Sequence, residues 1–273
     1  MQLPRKMLYV LFLLSFIQAG AAAGEKTYFV YQSMPFQGYY DDSGFHAIPY
    51  SENHEYIEKF ILELPKIFPK GSKVNGIDRN GKRSVLTIRK VDTGVLLEDG
   101  FIVDPPIVYR DEKWADLVWT PGRDVEIVKT EVTPVPSKAR RKLAEKLSAA
   151  MKDVSQGFPD GPETIKLAQL AKNPPEPIGR KAAGLPDLLF ITWDAGAAHF
   201  FIYSVSRGDF LFGQMSLVNA YDSLSGPGLR PLFFFRIQGK SRVYILAESF
   251  DGYEYTVHVI LDGETGKTML ATF

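Results

Sequence analysis

From Leu185 to Phe273 the chain reads as a succession of short strand-like runs, most of them joined by brief turns. The runs are 187–193, 199–205, 210–218, 232–238, 242–250, 253–261 and 267–273, all rich in β-branched and aromatic residues. Turn formers such as Gln238-Gly239-Lys240, Asp251-Gly252 and Asp262-Gly263-Glu264-Thr265-Gly266 separate most of them. Parallel neighbours need crossovers of about a dozen residues or more, so connections this short dictate an antiparallel meander. The fold class that follows is mainly β, and α+β overall once the upstream helices are counted.

Two further regions precede this one. Residues 25–132 mix one helix with strands. Thr27–Tyr31 reads as a strand, and Ser51 suits the N-cap of a helix whose apolar face is Tyr56, Ile57, Phe60, Ile61 and Leu64. Pro65, Pro69 and Gly71 are expected to end it. Strands follow at 85–91 after an Asn80-Gly81 hairpin turn, then at 94–97, 101–103, 117–120 and 125–132. Residues 133–184 form a helical insert between proline-rich linkers. Ser137 caps a helix over 137–154 with a thin stripe of Leu143, Leu147, Ala150 and Val154, and Lys138, Arg140, Arg141, Lys142, Lys146 and Lys152 cover the rest of it. Pro162 starts a second helix to about Lys172, and Asn173-Pro174-Pro175-Glu176-Pro177 closes the insert.

Residues 1–23 are expected to be a cleavable secretory leader. Arg5 and Lys6 give the basic start, 7–17 the apolar run, and the small residues Ala19 to Ala23 a cleavage site after Ala21 or Ala23. At about 1.5 Å per residue the run reaches roughly 17 Å, short of the ~30 Å of hydrocarbon a spanning helix must cross. The expectation is therefore a periplasmic or secreted protein without an integral membrane span. The chain has no cysteine, which removes disulfides, thiol nucleophiles and Cys-ligated zinc together. Such a chain must stand on an ordinary buried core, and its 45% hydrophobic content allows one. Without the leader, 30 basic side chains face 32 acidic ones, so no basic surplus exists to hold nucleic acid.

The third region carries an internal echo. Gly184-Leu185-Pro186-Asp187-Leu188-Leu189-Phe190-Ile191 recurs in outline 44 positions later as Gly228-Leu229-Arg230-Pro231-Leu232-Phe233-Phe234-Phe235. A period of roughly 40–45 residues matches one propeller blade. Closure takes about four blades and this stretch holds two, so the units must pack as a sandwich-like pair or borrow strands from upstream. Gly184 to Leu188 resembles the end of the calcium loop in integrin-alpha-type (FG-GAP) repeats. The hairpin Ala195-Gly196-Ala197-Ala198-His199 resembles a Gly-Gly-Ala-His turn of exported bacterial β-proteins. The resemblance implies a β-repeat fold in an exported setting. The positions where the repeats place acidic ligands hold Gly179, Lys181 and Ala183, so calcium is not implied.

Few residues point to chemistry. His54-Glu55 lacks the second histidine of a metalloprotease motif, since Glu58 stands there. His46 and His54 read as surface polar groups, and His258 as one face of a strand. Asp78-Arg79-Asn80-Gly81 lacks the distal ligands of a calcium loop, and Asp41-Asp42 and Glu98-Asp99-Gly100 read as turn acids. No metal set and no cofactor motif is expected. His199 follows a turn, and Asp194 precedes it. If the hairpin forms, the pair could meet across its mouth as half of a nucleophilic site, with Ser223 or Ser225 as a distant serine. Binding, by contrast, would use aromatic side chains: Phe36, Tyr39 and Tyr40 in a loop-like stretch over 32–40, with Trp114, Trp119 and Trp193. The expected function is that of an exported, non-catalytic binding or structural module with a protein or glycan partner. Two alternatives stand beside it: a hydrolase of an envelope or extracellular polymer through Asp194 and His199, and a membrane-surface accessory protein using the basic helix 137–154.

Overall fold

The computed structural model describes residues 25–48, 55–96, 102–157, 175–194, 198–214, 228–250 and 256–272. The leader, Ser51, His54, Glu98 to Gly100, the helix expected over 162–172, and Ser223 and Ser225 lie outside the described residues. Strands β1 (Phe29–Tyr31), β2 (Met34–Pro35), β3 (Gly38–Asp41) and β4 (Gly44–Ala47) come first, then helix α1 (Glu55–Ile67). β5 (Lys73–Ile77), β6 (Arg83–Asp92), β7 (Val95–Leu96), β8 (Ile102–Asp104), β9 (Ile107–Arg110) and β10 (Leu117–Trp119) follow. β11 (Val125–Val128) and β12 (Thr130–Thr133) lead into α2 (Ser137–Gly157). The rest is β13 (Ile178–Ala182), β14 (Leu188–Asp194), β15 (Ala198–Ser204), β16 (Asp209–Gln214), β17 (Gly228–Ile237), β18 (Val243–Phe250), β19 (Thr256–Asp262) and β20 (Thr268–Ala271).

Three large antiparallel sheets organise these strands. Sheet I has the order β2-β1-β10-β5-β6-β9, sheet II β11-β17-β18-β19-β20, and sheet III β12-β13-β14-β15-β16. Side-chain alternation along a strand settles how the sheets stack. In β18, Val243, Ile245 and Ala247 pack with sheet III, whereas Tyr244 and Leu246 pack with sheet I. In β14, Leu188 and Phe190 meet sheet II, whereas Leu189, Ile191 and Trp193 meet Ala139, Leu143 and Leu147 of α2. In β1 and β10, Phe29, Tyr31, Leu117 and Trp119 face sheet II, and Val30 and Val118 face Phe60 and Leu64 of α1. The layers therefore run α1, sheet I, sheet II, sheet III, α2. Sheet II is covered on both faces, which is why its strands read as near-continuous apolar runs. Sheet I also curls until its edges meet, with the Val108 N–H donating to the Ser33 carbonyl at 2.8 Å.

Several expectations need correcting in detail. The strand expected over 125–132 is two strands. β11 pairs with β17 in sheet II, and β12 pairs with β13 in sheet III, so the chain changes sheets at Lys129. The two late sheets thus do both things their size requires: they pack face to face, and each takes an edge strand from upstream. The echo does not fall on equivalent places, because β14 is the middle strand of sheet III and β17 is second in sheet II. Helix α1 continues through Pro65 to Ile67. A proline this close to the end deletes one backbone bond only, and the Phe68 N–H still closes the last turn on Leu64 at 2.8 Å. The stretch 32–40 is not a loop: it supplies β2 and β3, tied to β1 and β4.

Candidate functional site

A cleft of about 850 Å³ opens between sheets II and III. Its floor is set where the packing of the two sheets ends. Phe190 meets Phe234 edge-on at 4.7 Å between ring centroids. Alternation from Phe190 brings Thr192 of β14 and its register partner Ile178 onto the same face beyond that contact, with Arg180 of β13 in register beside Phe190. One wall is β17 from Leu229 to Phe234, a second is the sheet-switching segment Ile127 to Glu131, and Arg79 and Asn80 reach in from the β5–β6 turn.

Charge in the lining is unequal. Arg79 donates to Asp116 through its backbone N–H at 2.7 Å and its guanidinium at 3.1 Å. These bonds raise the arginine's proton affinity and neutralise it within the wall. Glu176 is likewise matched by Arg140 at 3.1 Å. Lys129 and Arg180 then stand against Glu131 among the charges that set the potential in the cleft. Arg180 is half-buried and makes no ion pair within the described residues.

The hairpin of β14 and β15 forms as expected, but Trp193, not Asp194, stands opposite His199. Asp194 pairs with Ala198. His199 is 1% exposed, with its ring 5.9 Å from that of Trp193. The Trp193 indole N–H donates to the Pro175 carbonyl at 2.7 Å. Both rings border the cleft, yet both are packed.

The other aromatic positions divide by burial. Phe36, Tyr40 and Trp119 are at most 2% exposed and belong to the core between sheets I and II. Tyr39 is half-buried, with His46 stacked at 5.0 Å and the Lys26 ammonium 4.2 Å above its ring. Trp114 alone of the six stands open, at 64%.

Two polar clusters escaped the sequence reading. On the β3–β4 hairpin, Asp41 accepts from the Ser43 backbone and hydroxyl at 2.8 and 2.7 Å and lies 2.9 Å from His46 Nε2. Those Ser43 bonds, with His46 adding less, hold the Asp41 carboxyl down at about 2. The composition is that of a serine triad, but the wiring is not. Ser43 and Asp41 both meet the same imidazole nitrogen, so the ring cannot pass a proton from one to the other.

The second cluster lies at the seam of sheets I and II. The His258 ring sits 4.0 Å from that of Tyr31, and its Nε2 is 3.9 Å from Glu248 Oε1. Its Nδ1 is buried without a partner, and burial pushes the imidazole down to about 4. Burial, then the neighbouring Asp116, pushes the Tyr31 hydroxyl up. His258 alternates with two valines, which marked it as facing one side of a strand, but its partners come from residues distant in sequence.

Among the described residues no three His, Asp or Glu side chains gather as a metal-holding group, and no helix is long and apolar enough to cross a membrane. Comparison with known proteins returned no matching family model, no matching curated protein and no matching solved structure.

Proposed function

We propose that this is an exported, non-catalytic binding protein whose ligand occupies the cleft between sheets II and III. One observation carries the reading: the cleft is large, preformed, mostly apolar at its floor and cationic at its rim, as ligand sites are. The packed state of His199 and its register opposite Trp193 favour binding over hydrolysis. The use of Ala139, Leu143 and Leu147 to cover sheet III takes away the apolar face that a membrane-lying helix would need. Export rests on the order of basic, apolar and small residues over 1–23 and is checked by the mass of the mature N-terminus. Binding is tested by titrating the purified protein, expressed from the whole chain, with panels of peptides and oligosaccharides. Ligands of the cleft lose affinity in Arg180→Glu and in Ile178→Asp, while Tyr39→Ala leaves them unchanged. Equal affinity in all three variants would remove the cleft from consideration.

A further inference from the structure

Among the described residues, one wall of the cleft is a sheet edge that β11 covers only in part. β11 pairs with β17 only from Val125↔Ile237 to Val128↔Phe234, because the chain leaves for sheet III at Lys129. β17 itself continues back to Gly228, paired on its other side to β18. Among the described residues, 228–233 thus have a neighbour on one side alone. Pro231 fits an open side, since proline within a sheet is confined to edges and bulges.

A β-bulge sharpens the point. The β17–β18 register runs Pro231↔Ala247 and then Phe233↔Leu246, so Leu232 is skipped by that ladder, and β11 ends before reaching it. The Gln238 N–H donates to the Asp124 carbonyl at 2.8 Å, which puts Phe234, Arg236 and Gln238 in the hydrogen-bonding positions toward β11, and the bulge shifts that alternation by one for the residues upstream of it. Beyond the bulge the residues so placed are Pro231, which has no N–H to leave unpaired there, and Leu229, and both line the cleft. Bulges often stand beside functional sites, where they re-aim the chain.

The remaining chemistry separates two kinds of ligand. Sugars are gripped by open aromatic faces, but Trp193, Phe233 and Phe234 in this lining are at most 6% exposed. Aliphatic and cationic side chains line the accessible part instead: Ile178 is 49% exposed, and Lys129 and Arg180 stand at the rim.

We propose that the cleft takes an extended acidic peptide, which adds as a strand beside 228–233 of β17, bonds the Leu229 backbone and the Pro231 carbonyl, and sets alternate carboxylates against Arg180 and Lys129. This rests on the cleft being the binding site. It is the strand-addition mode of peptide recognition, in which main-chain bonds give affinity and alternate side chains give selectivity.

The test is calorimetric titration of the purified whole-chain product with four probes. These are a blocked peptide of alternating valine and glutamate ending in proline, its valine–lysine counterpart, the acidic peptide N-methylated at alternate backbone nitrogens, and tetragalacturonate. The acidic peptide is expected to bind and the lysine peptide not to. N-methylation and, separately, Arg180→Glu should each weaken binding by about tenfold or more, the loss of one charge-assisted or main-chain bond in a desolvated site. Arg180→Ser, which carries no new charge, should weaken it in the same direction. Equal binding of the N-methylated peptide overturns strand addition. Arg180-dependent binding of tetragalacturonate without the peptide overturns the peptide and keeps the cleft. Binding of none of the probes overturns the inference, and the broader ligand panels then decide whether the cleft reading falls with it.

Discussion

Acidification should destabilise this protein through His258 before its carboxylates begin to matter. The imidazole is 6% exposed, with Tyr31 against its ring, Glu248 at 3.9 Å, and Asp116 and Arg79 acting on the Tyr31 hydroxyl. Burial lowers its pKa from 6.5 to about 4. The unfolded chain therefore binds more protons than the folded one between those values, and stability falls as pH falls through that window. The whole shift corresponds to roughly 3 kcal/mol, of which about 2 kcal/mol is lost on going from pH 7.5 to pH 5. Asp41, Asp92, Asp187 and Asp209 also lie below their ordinary carboxyl values, so what they contribute is lost only at lower pH. Urea unfolding at pH 7.5 and pH 5 reads the difference, with His258→Phe as the control that keeps an aromatic ring against Tyr31. The wild type should lose about 2 kcal/mol more than the variant over this range. Parallel losses in the two proteins would refute the argument and place the acid sensitivity elsewhere.

Two further outcomes test the layering and its turns. Leu143→Ala should cost about 2–5 kcal/mol in chemical unfolding, the range for a truncated buried leucine, because Leu143 is 1% exposed between α2 and sheet III. Lys146→Ala on the open side of the same helix should leave the midpoint unmoved. Asp262→Ala should cost about 1–3 kcal/mol, the range for leaving buried hydrogen-bond donors without an acceptor. Its fully buried carboxylate accepts from the Glu264 and Thr265 backbones at 3.0 and 2.8 Å, from the Thr265 hydroxyl, and from Arg242. Circular dichroism melts of both variants against wild type check this, and a native-like melt of Asp262→Ala would mean that the turn holds without its acid.

The strands were legible because their signals are local. Gln238 to Lys240 and Asp262 to Gly266 make turns whatever lies above them, and the runs between them have no alternative to a ladder. Lys129 was not legible as a change of sheet. Nothing in Val125 to Thr133 breaks the β pattern, and only the separate partners Phe234 and Ala182 divide it. Aromatic density misled for a related reason. Phe36, Tyr40 and Trp119 look like a binding surface if one face of each strand is open to water, but sheets that are covered twice need large side chains on both faces. The polar members of the cleft come from β5–β6, β13 and β17, and no spacing rule joins Arg79, Arg180 and Arg230. Pro231 was the one readable sign, since a proline inside an apolar run marks a strand side that forms no ladder.

The cleft and the stacking have a common origin. Two blade-sized sheets cannot close a ring, so their outer faces need other cover. Sheet I, wrapped over α1, supplies it on one side and α2 on the other. The segment that joins sheet I to α2 must cross the edge of the stack, and it does so as β11 and β12, giving one strand to each sheet. Since twisted sheets packed face to face diverge at their corners, a segment shared in this way cannot follow both to their ends. The β11–β17 pairing therefore ends at Phe234, just where sheet III turns Ile178, Arg180 and Thr192 toward the gap. The opening is thus a consequence of covering two face-to-face sheets with one chain, and Lys129 and Arg180 are the side chains through which the ligand proposed above would be held.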